Sequence, residues 1–349
     1  MASTVLVTGG CGFVGSHVVD ELVERGESVR VLDLLHPLAH DRKPEYLNPA
    51  VDYVFGDVQD ADVVSDCLDG VGAVSHQAAM VGLGTDFRDV VDYVRHNALG
   101  TAALLLALAR HSEPLRLVLA SSMVVYGEGR YSCKTHGFVH PPPRTRADLD
   151  AGSFDPRCPS CGAALAPAPV TEEASVDPRS IYAATKVHQE HLCATFGREL
   201  GVPVTTLRYH NVYGPRMPRD TPYAGVASIF RSAIERGEAP AVFEDGRQIR
   251  DFVHVRDVAR ANVLALSAES SVPGTFNIAS GEPHTIAELA GALIESLDAQ
   301  GPIQVTGEYR LGDVRHVFAS PELAAEALGF RAELSFAEGM REFAATTLR

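Results

Sequence analysis

"VTGGCGFVGSHVVDELVERG", Val7 to Gly26, joins a β-rich run to an amphipathic helical pattern through three glycines, Gly9, Gly12 and Gly15. Without side chains the backbone between a strand and a helix can turn tightly and approach a pyrophosphate held at the helix N-terminus. About 20 residues on, Asp33 ends a second β-rich run, "SVRVLD", where a carboxylate can hold the adenosine ribose hydroxyls. The same carboxylate repels a 2'-phosphate, so the expected cofactor is NAD rather than NADP.

Outward from this turn the same rhythm repeats. "STVLVT", "SVRVLD", "VDYVFG", "GAVSHQA", "LRLVLAS" and "VPVTTLRY" are predicted strands, and several of the segments between them have helical character. Such alternation implies βαβ units and an α/β fold with a doubly wound parallel sheet of the Rossmann kind. The expected organisation is a dinucleotide domain over 1–209, its sheet completed by about 251–280, and a smaller C-terminal substrate domain over 210–250 and 281–349. Residues 127–178 break the rhythm: they are dense in Pro, Gly, Cys and Arg and are predicted to be an inserted module.

Composition narrows the function. With 349 residues and 46% hydrophobic content, the chain can bury a large core. Its formal charge of -15 and lack of a basic run argue against a nucleic-acid or anionic-membrane partner. The N-terminus has no signal-peptide pattern and no apolar run spans a bilayer, so a cytoplasmic, reducing location is expected. There, cysteines serve as ligands or core residues rather than disulfide partners.

The insertion holds a Cys-x-x-His, Cys133 and His136, and a Cys-x-x-Cys, Cys158 and Cys161, separated by 21 residues. This approaches zinc-ribbon spacing and predicts a structural zinc, with His140 as an alternative fourth ligand. A segment this poor in hydrophobics cannot pack its own core, and a tetrahedral ion supplies the missing stability. Cys11, Cys67 and Cys193 are expected to be packing residues.

Chemistry is expected at "SIYAATKVHQEHL", where Tyr182 and Lys186 stand four apart on a predicted helix and therefore share a face. A neighbouring ammonium lowers a phenol's pKa and makes it a general base. Ser121 and Ser122 follow the fifth predicted strand, at the carboxyl edge of the sheet where such folds bind ligands.

Taken in order, "TGGCGFVG", "GDVQD", "HQAAMVG", "HNALGT", "SSMVVYG", "YAATK", "LRYHNVYGPR", "DGRQIRDFVHVRDVA" and "FNIASG" resemble the extended short-chain dehydrogenase/reductase family, in its nucleotide-sugar epimerase and dehydratase branch. The resemblance covers nearly the whole chain except the insertion. It implies Ser122, Tyr182 and Lys186 as catalytic residues. It places Gly9, Gly12, Phe13, Val14, Gly15, Asp33, Asp57, Val58, Ala78, Ala79, Asn97 and Lys186 around the cofactor. Ser122, Asn211, Arg250, Arg310 and Asp313 would face the sugar nucleotide, the arginines because a guanidinium fork suits a diphosphate.

Departures from the family pattern select a reaction. Its 4,6-dehydratases carry Asp-Glu after the catalytic Ser/Thr, its decarboxylases a Glu and its GDP-fucose-forming member a Cys at the second of those positions. Here they are Met123 and Val124, which transfer no proton. What remains suits a 4-epimerase that oxidises C4 to a 4-keto sugar and returns hydride to the opposite face. "TPYAGVASIF" and "GEYRLGDVRH" resemble dTDP-L-rhamnose 4-epimerases, so the substrate is expected to be a dTDP- or UDP-sugar. A nucleotide 4-keto-sugar reductase and a non-catalytic dinucleotide-binding sensor are the alternatives. The resemblance further implies a homodimer through helices near Ala98–Arg110 and Tyr182–Gly197.

Overall fold

The structure, a computed structural model, describes residues 4–82, 87–113, 115–219, 225–267 and 272–349. All six β-rich runs form strands: β1 Thr4–Thr8, β2 Val29–Asp33, β3 Asp52–Phe55, β4 Val71–His76, β5 Arg116–Ser122 and, beyond the insertion, Val204–Tyr209. With Gly274–Ile278 they make one parallel sheet in the order Gly274–Ile278, Val204–Tyr209, β5, β4, β1, β2, β3. Helix α1, Phe13–Glu24, and helix Val255–Leu266 cover one face, burying Val18, Val19, Leu22, Val258 and Ala261 against it. Gly100–Arg110 and Ile181–Leu200 cover the other with Leu104, Leu108, Cys193 and Phe196. Strands covered on both faces need apolar residues at nearly every position, as in "TVLVT". Cys11, Cys67 and Cys193 are all in these cores.

A second cluster forms around Phe230, Phe252, Leu289, Leu293, Met340 and Phe343. It packs helices Val226–Glu235, Ile286–Ser296 and Phe336–Ala345 on a small sheet in which Ile249–His254 lies between Asn211–Tyr213 and Pro283–Thr285 and also pairs with His316–Val317.

The insertion carries a three-stranded antiparallel sheet, with Arg130–Cys133 between Gly137–Val139 and Ala166–Ala168. It is stitched to the chain just beyond His316–Val317, where Val170 N donates to Phe318 O and Ser320 N donates to Val170 O. Among the described residues no helix is long and apolar enough to cross a membrane.

The sheet order reverses between β1 and β4, and there the glycine turn meets the loop after β4. Gly9 has φ +69°, and a Cβ on it would lie 2.7 Å from Ala78 N; one on Gly15 would lie 2.2 Å from Gly9 O. Both collisions are with backbone, which cannot swing aside. Gly15→Ala is therefore expected to cost about 1–3 kcal/mol of stability and to displace the turn, read as a lower denaturant midpoint and loss of retained dinucleotide. A variant as stable as the parent would show that the turn has room to spare.

Candidate active site

The helix Ile181–Leu200 starts at Ser180, whose hydroxyl accepts from Ala183 N, and ends at Gly201 in the left-handed conformation. This puts Tyr182 and Lys186 on its first two turns, buried against the end of β5. Lys186 Nζ donates to Ala120 O at 2.8 Å and lies 5.9 Å from the Tyr182 ring centroid. The two serines after Ala120 separate in role. Ser121 turns inward and donates to Glu190 at 2.5 Å, whereas Ser122 Oγ accepts from Val124 N at 3.4 Å and faces Tyr182, drawing its pKa down.

Burial dominates the electrostatics of this group. It pushes the Tyr182 phenol up to about 12, with the Ser122 hydrogen bond drawing it back only in part. Burial likewise brings Lys186 down to about 8 against the opposing charge of Glu190. The Lys186 ammonium is engaged by the Ala120 carbonyl, and burial is the largest influence on the phenol.

Asn97 lies in the π-helical turn Val94–Leu99 and is fully buried. Its amide accepts from Met80 N at 2.7 Å and donates to Met80 O and Thr185 Oγ1, each at 2.9 Å. Thr185 in turn donates to Tyr182 O at 2.8 Å. Asn97 thus ties the Ala78–Ala79 loop to the helix of Tyr182. Sequence reasoning missed Thr185; it also missed Tyr93, whose ring centroid is 6.0 Å from that of Tyr182. Glu190, which accepts from Arg208 at 2.7 and 2.9 Å, was legible as the residue one helical turn beyond Lys186.

Several residues can hold a dinucleotide. Asp33 stands at the carboxyl end of β2, and its two oxygens accept from Cys11 N at 2.9 Å and Leu35 N at 2.8 Å. Each oxygen keeps a further lone pair for a ribose hydroxyl. Gly12 caps α1 and its amide donates to Gly9 O at 3.1 Å, while Phe13, Val14 and Gly15 form the first turn, whose amides have no intrahelical partner. Asp57 is braced by Gln59 N and Nε2, and Val58 is buried beneath it. Ala78 N donates to Thr8 Oγ1 at 3.3 Å.

On the opposite side of the cleft, buried Asn211 Oδ1 has no hydrogen-bond partner. Arg250 donates to the carbonyls of Ile249, Val314 and Arg315 at 2.7–2.9 Å and forms no ion pair among the described residues. Burial lowers its pKa while Asp313 and Glu128 oppose the fall. Arg310 is exposed and lies over the Phe243 ring, 5.1 Å from its centroid. Thr221–Ala224 of "TPYAGVASIF" lie outside the described residues.

Cys133, His136, Cys158 and Cys161 converge, their ligand atoms all within 4.8 Å of one another. The pairs Cys133–Cys161, Cys133–His136 and Cys158–His136 are 3.8, 3.6 and 3.5 Å apart. Tetrahedral zinc with ordinary bond lengths would place sulfurs about 3.8 Å apart, and sulfur and nitrogen about 3.6 Å apart. Backbone amides of Thr135 and His136 hold the Cys133 thiol below its usual pKa. Burial raises Cys158, but the amides of Ser160 and Cys161 outweigh it and leave that thiol lowered too. His140 is the rejected alternative: its Nε2 lies 2.9 Å from Asp177.

The model of the NAD dependent epimerase/dehydratase family matches residues 5–147 and 160–279, and its one break falls inside the insertion. The chain is 32% identical to dTDP-L-rhamnose 4-epimerase of Burkholderia thailandensis, over 97% of this chain and 93% of that one. It is 30% identical to the solved UDP-glucose 4-epimerase of Thermus thermophilus in complex with NAD, with a TM-score of 0.77 over 98% and 97% of the two chains. For UDP-glucose 4-epimerase of Thermotoga maritima with UDP-glucose the identity is again 30%, the TM-score 0.79 and the coverage 98% and 97%. With the sheet, the glycine turn and the Tyr-Lys helix all matched together, the chain belongs to the NAD-dependent epimerase/dehydratase family.

Proposed function

We propose that this protein is an NAD-dependent nucleotide-sugar 4-epimerase. The observation that carries this reading is the grouping of Ser122, Tyr182 and Lys186 beside two side chains that transfer no proton. Met123 and Val124 follow Ser122 in a 3₁₀ turn, and both pack with Val125, Tyr126 and Val170 in an apolar cluster. Proton transfer is thereby confined to Tyr182 and Ser122.

Gly9, Gly12 and Gly15 would hold the NAD pyrophosphate, Asp33 the adenosine ribose and Lys186 the nicotinamide ribose. When bound, NAD supplies the hydride acceptor for C4 and a fixed positive charge. Tyr182 Oη, directly or through Ser122 Oγ, takes the proton of the C4 hydroxyl and later returns it. Arg250 and Arg310 anchor the diphosphate, and with only the nucleotide firmly held the sugar can present its second face. The substrate assigned is a dTDP-deoxysugar such as dTDP-L-rhamnose. Similarity to the Burkholderia enzyme supports this choice.

The insertion is assigned one structural zinc, on Cys133, His136, Cys158 and Cys161. This donor set closes a tetrahedron and leaves no position for a reacting water, consistent with a fold-stabilising rather than a Lewis-acid ion. Exposed Leu99 and Leu106 support assembly as a homodimer through the helices near Ala98–Arg110 and Tyr182–Gly197.

Tyr182→Phe is expected to lower turnover by about 10³-fold or more while NAD and sugar nucleotide still bind, with kcat measured by NMR on a panel of dTDP- and UDP-sugars. Near-normal turnover in this variant would remove Tyr182 from the mechanism. In heavy water the epimerised product should carry no deuterium at C4 and need no added NADPH. Deuterium at C4 would rule out direct hydride transfer at that carbon, and stoichiometric NADPH consumption would favour a reductase. Metal analysis of protein prepared without chelator should find about one zinc per chain, bound through three sulfurs and one nitrogen. Cys158→Ser should release it and make the insertion sensitive to protease while the parallel sheet stays folded; metal-free parent protein would disprove the site.

A further inference from the structure

The segment Asp313–His316 links Arg310 to the strand His316–Val317, and each of its residues is fastened through the main chain. Asp313 O accepts from Arg144 Nη2 at 2.6 Å. The carbonyls of Val314 and Arg315 accept from Arg250. Arg315 N donates to Glu128 Oε2 at 2.9 Å, and His316 N donates to Tyr131 Oη at 3.2 Å. Of these fasteners only Arg250 belongs to the substrate half. Glu128, Tyr131 and Arg144 all come from the insertion.

Arg144 reaches furthest. Its side chain is 4% exposed; Nη1 donates to Glu244 Oε1 at 2.7 Å and Nε lies 3.5 Å from Glu128. Glu244 is buried and has φ +54°, a conformation that a non-glycine residue holds only when its surroundings enforce it. Its own amide donates to Glu308 O at 2.7 Å. One guanidinium therefore grips both loops that bear the Phe243–Arg310 stack. Arg315 reinforces the joint through Glu244 and Asp245 on one side and Asp155 of the insertion on the other, at 2.7–2.9 Å. A planar fork with fixed donor directions holds a carboxylate and a carbonyl at once with less loss of rotamer freedom than a flexible ammonium.

We propose that Arg144 is a positioning residue for the sugar-nucleotide site, and that the insertion acts through it as a splint on the loops carrying Phe243, Arg310 and Asp313. This rests on the reading of those loops as the nucleotide-diphosphate site. Arg144 touches neither substrate nor cofactor; removing it leaves Tyr182, Lys186 and the glycine turn in place and lets the two loops drift apart.

The test is calorimetric titration of the NAD-loaded full-length protein with UDP and with dTDP, alongside steady-state kinetics. Arg144→Met should weaken binding of whichever nucleotide the parent takes by about tenfold or more, with KM for the sugar nucleotide rising in parallel. The kcat value and NAD retention should stay within about twofold, a split that general loosening of the fold would not produce. Arg144→Lys should recover part of the affinity. Tyr131→Phe, which removes one hydroxyl from a residue outside the cleft, should weaken binding by about threefold and carries the comparison if Arg144→Met does not fold. Unchanged nucleotide affinity in these variants, or a loss confined to kcat, overturns the inference while leaving the epimerase reading intact. A parent protein that binds neither nucleotide brings down the substrate reading and this inference with it.

Discussion

The backbones of Gly9 and Ala78 approach so closely where the sheet order reverses that no Cβ fits between them, and the site is hung from that contact. The carboxyl ends of β1 and β4 diverge there, leaving a crevice whose floor is the glycine turn. From Ala78 the chain runs to Met80, whose amide and carbonyl are both held by Asn97; Asn97 holds Thr185, and Thr185 holds the carbonyl of Tyr182. A candidate base on one helix is thus indexed to a cofactor loop on another element by hydrogen bonds between buried groups. Such bonds have no competing water, so their geometry is well defined.

Beneath this lies a buried charged layer. Glu190 accepts from Ser121 and twice from Arg208, and Arg208 donates also to Tyr126. Lys186 sits within the field of Glu190, which limits the fall in its pKa. Removing one member would leave an uncompensated charge in a medium that solvates it poorly, a loss of about 3–5 kcal/mol. The layer thus sets the charge of Glu190 against the burial that pulls the Lys186 pKa down, while burial pulls that of the Tyr182 phenol up.

The insertion solves a different problem. It offers few large apolar side chains, and the pieces that dock it are Val170, in the cluster with Val125 and Val317, and the acid-arginine network of Glu128, Arg144, Glu244, Arg315 and Asp155. Ion pairs give less net stability than apolar packing but fix orientation more strictly, because an unmatched charge is costly. At its far end lies the converged Cys/His cluster, the place of the proposed zinc. A segment with few large apolar side chains is in this way docked to the rest of the chain by directional contacts.

The parallel sheet was legible because its signal is local: each β-rich run between glycine and helical patterns is read within ten residues, and burial on both faces demands the apolar composition that marks it. The Tyr182/Lys186 face was legible for the same reason, since helical periodicity alone sets it, and so was the pairing of Cys-x-x-His with Cys-x-x-Cys. The choice of His136 over His140 was not, because it depends on Asp177 arriving across the fold to engage His140. Nor was the upward pull on the pKa of the phenol, which follows from the burial of Tyr182 in the folded chain. Arg144 stood in the sequence as one more arginine in a polar loop. Only tertiary structure brought Asp313 and Glu244, distant by 169 and 100 positions, to its two ends, because an ion pair leaves no periodic trace along a chain.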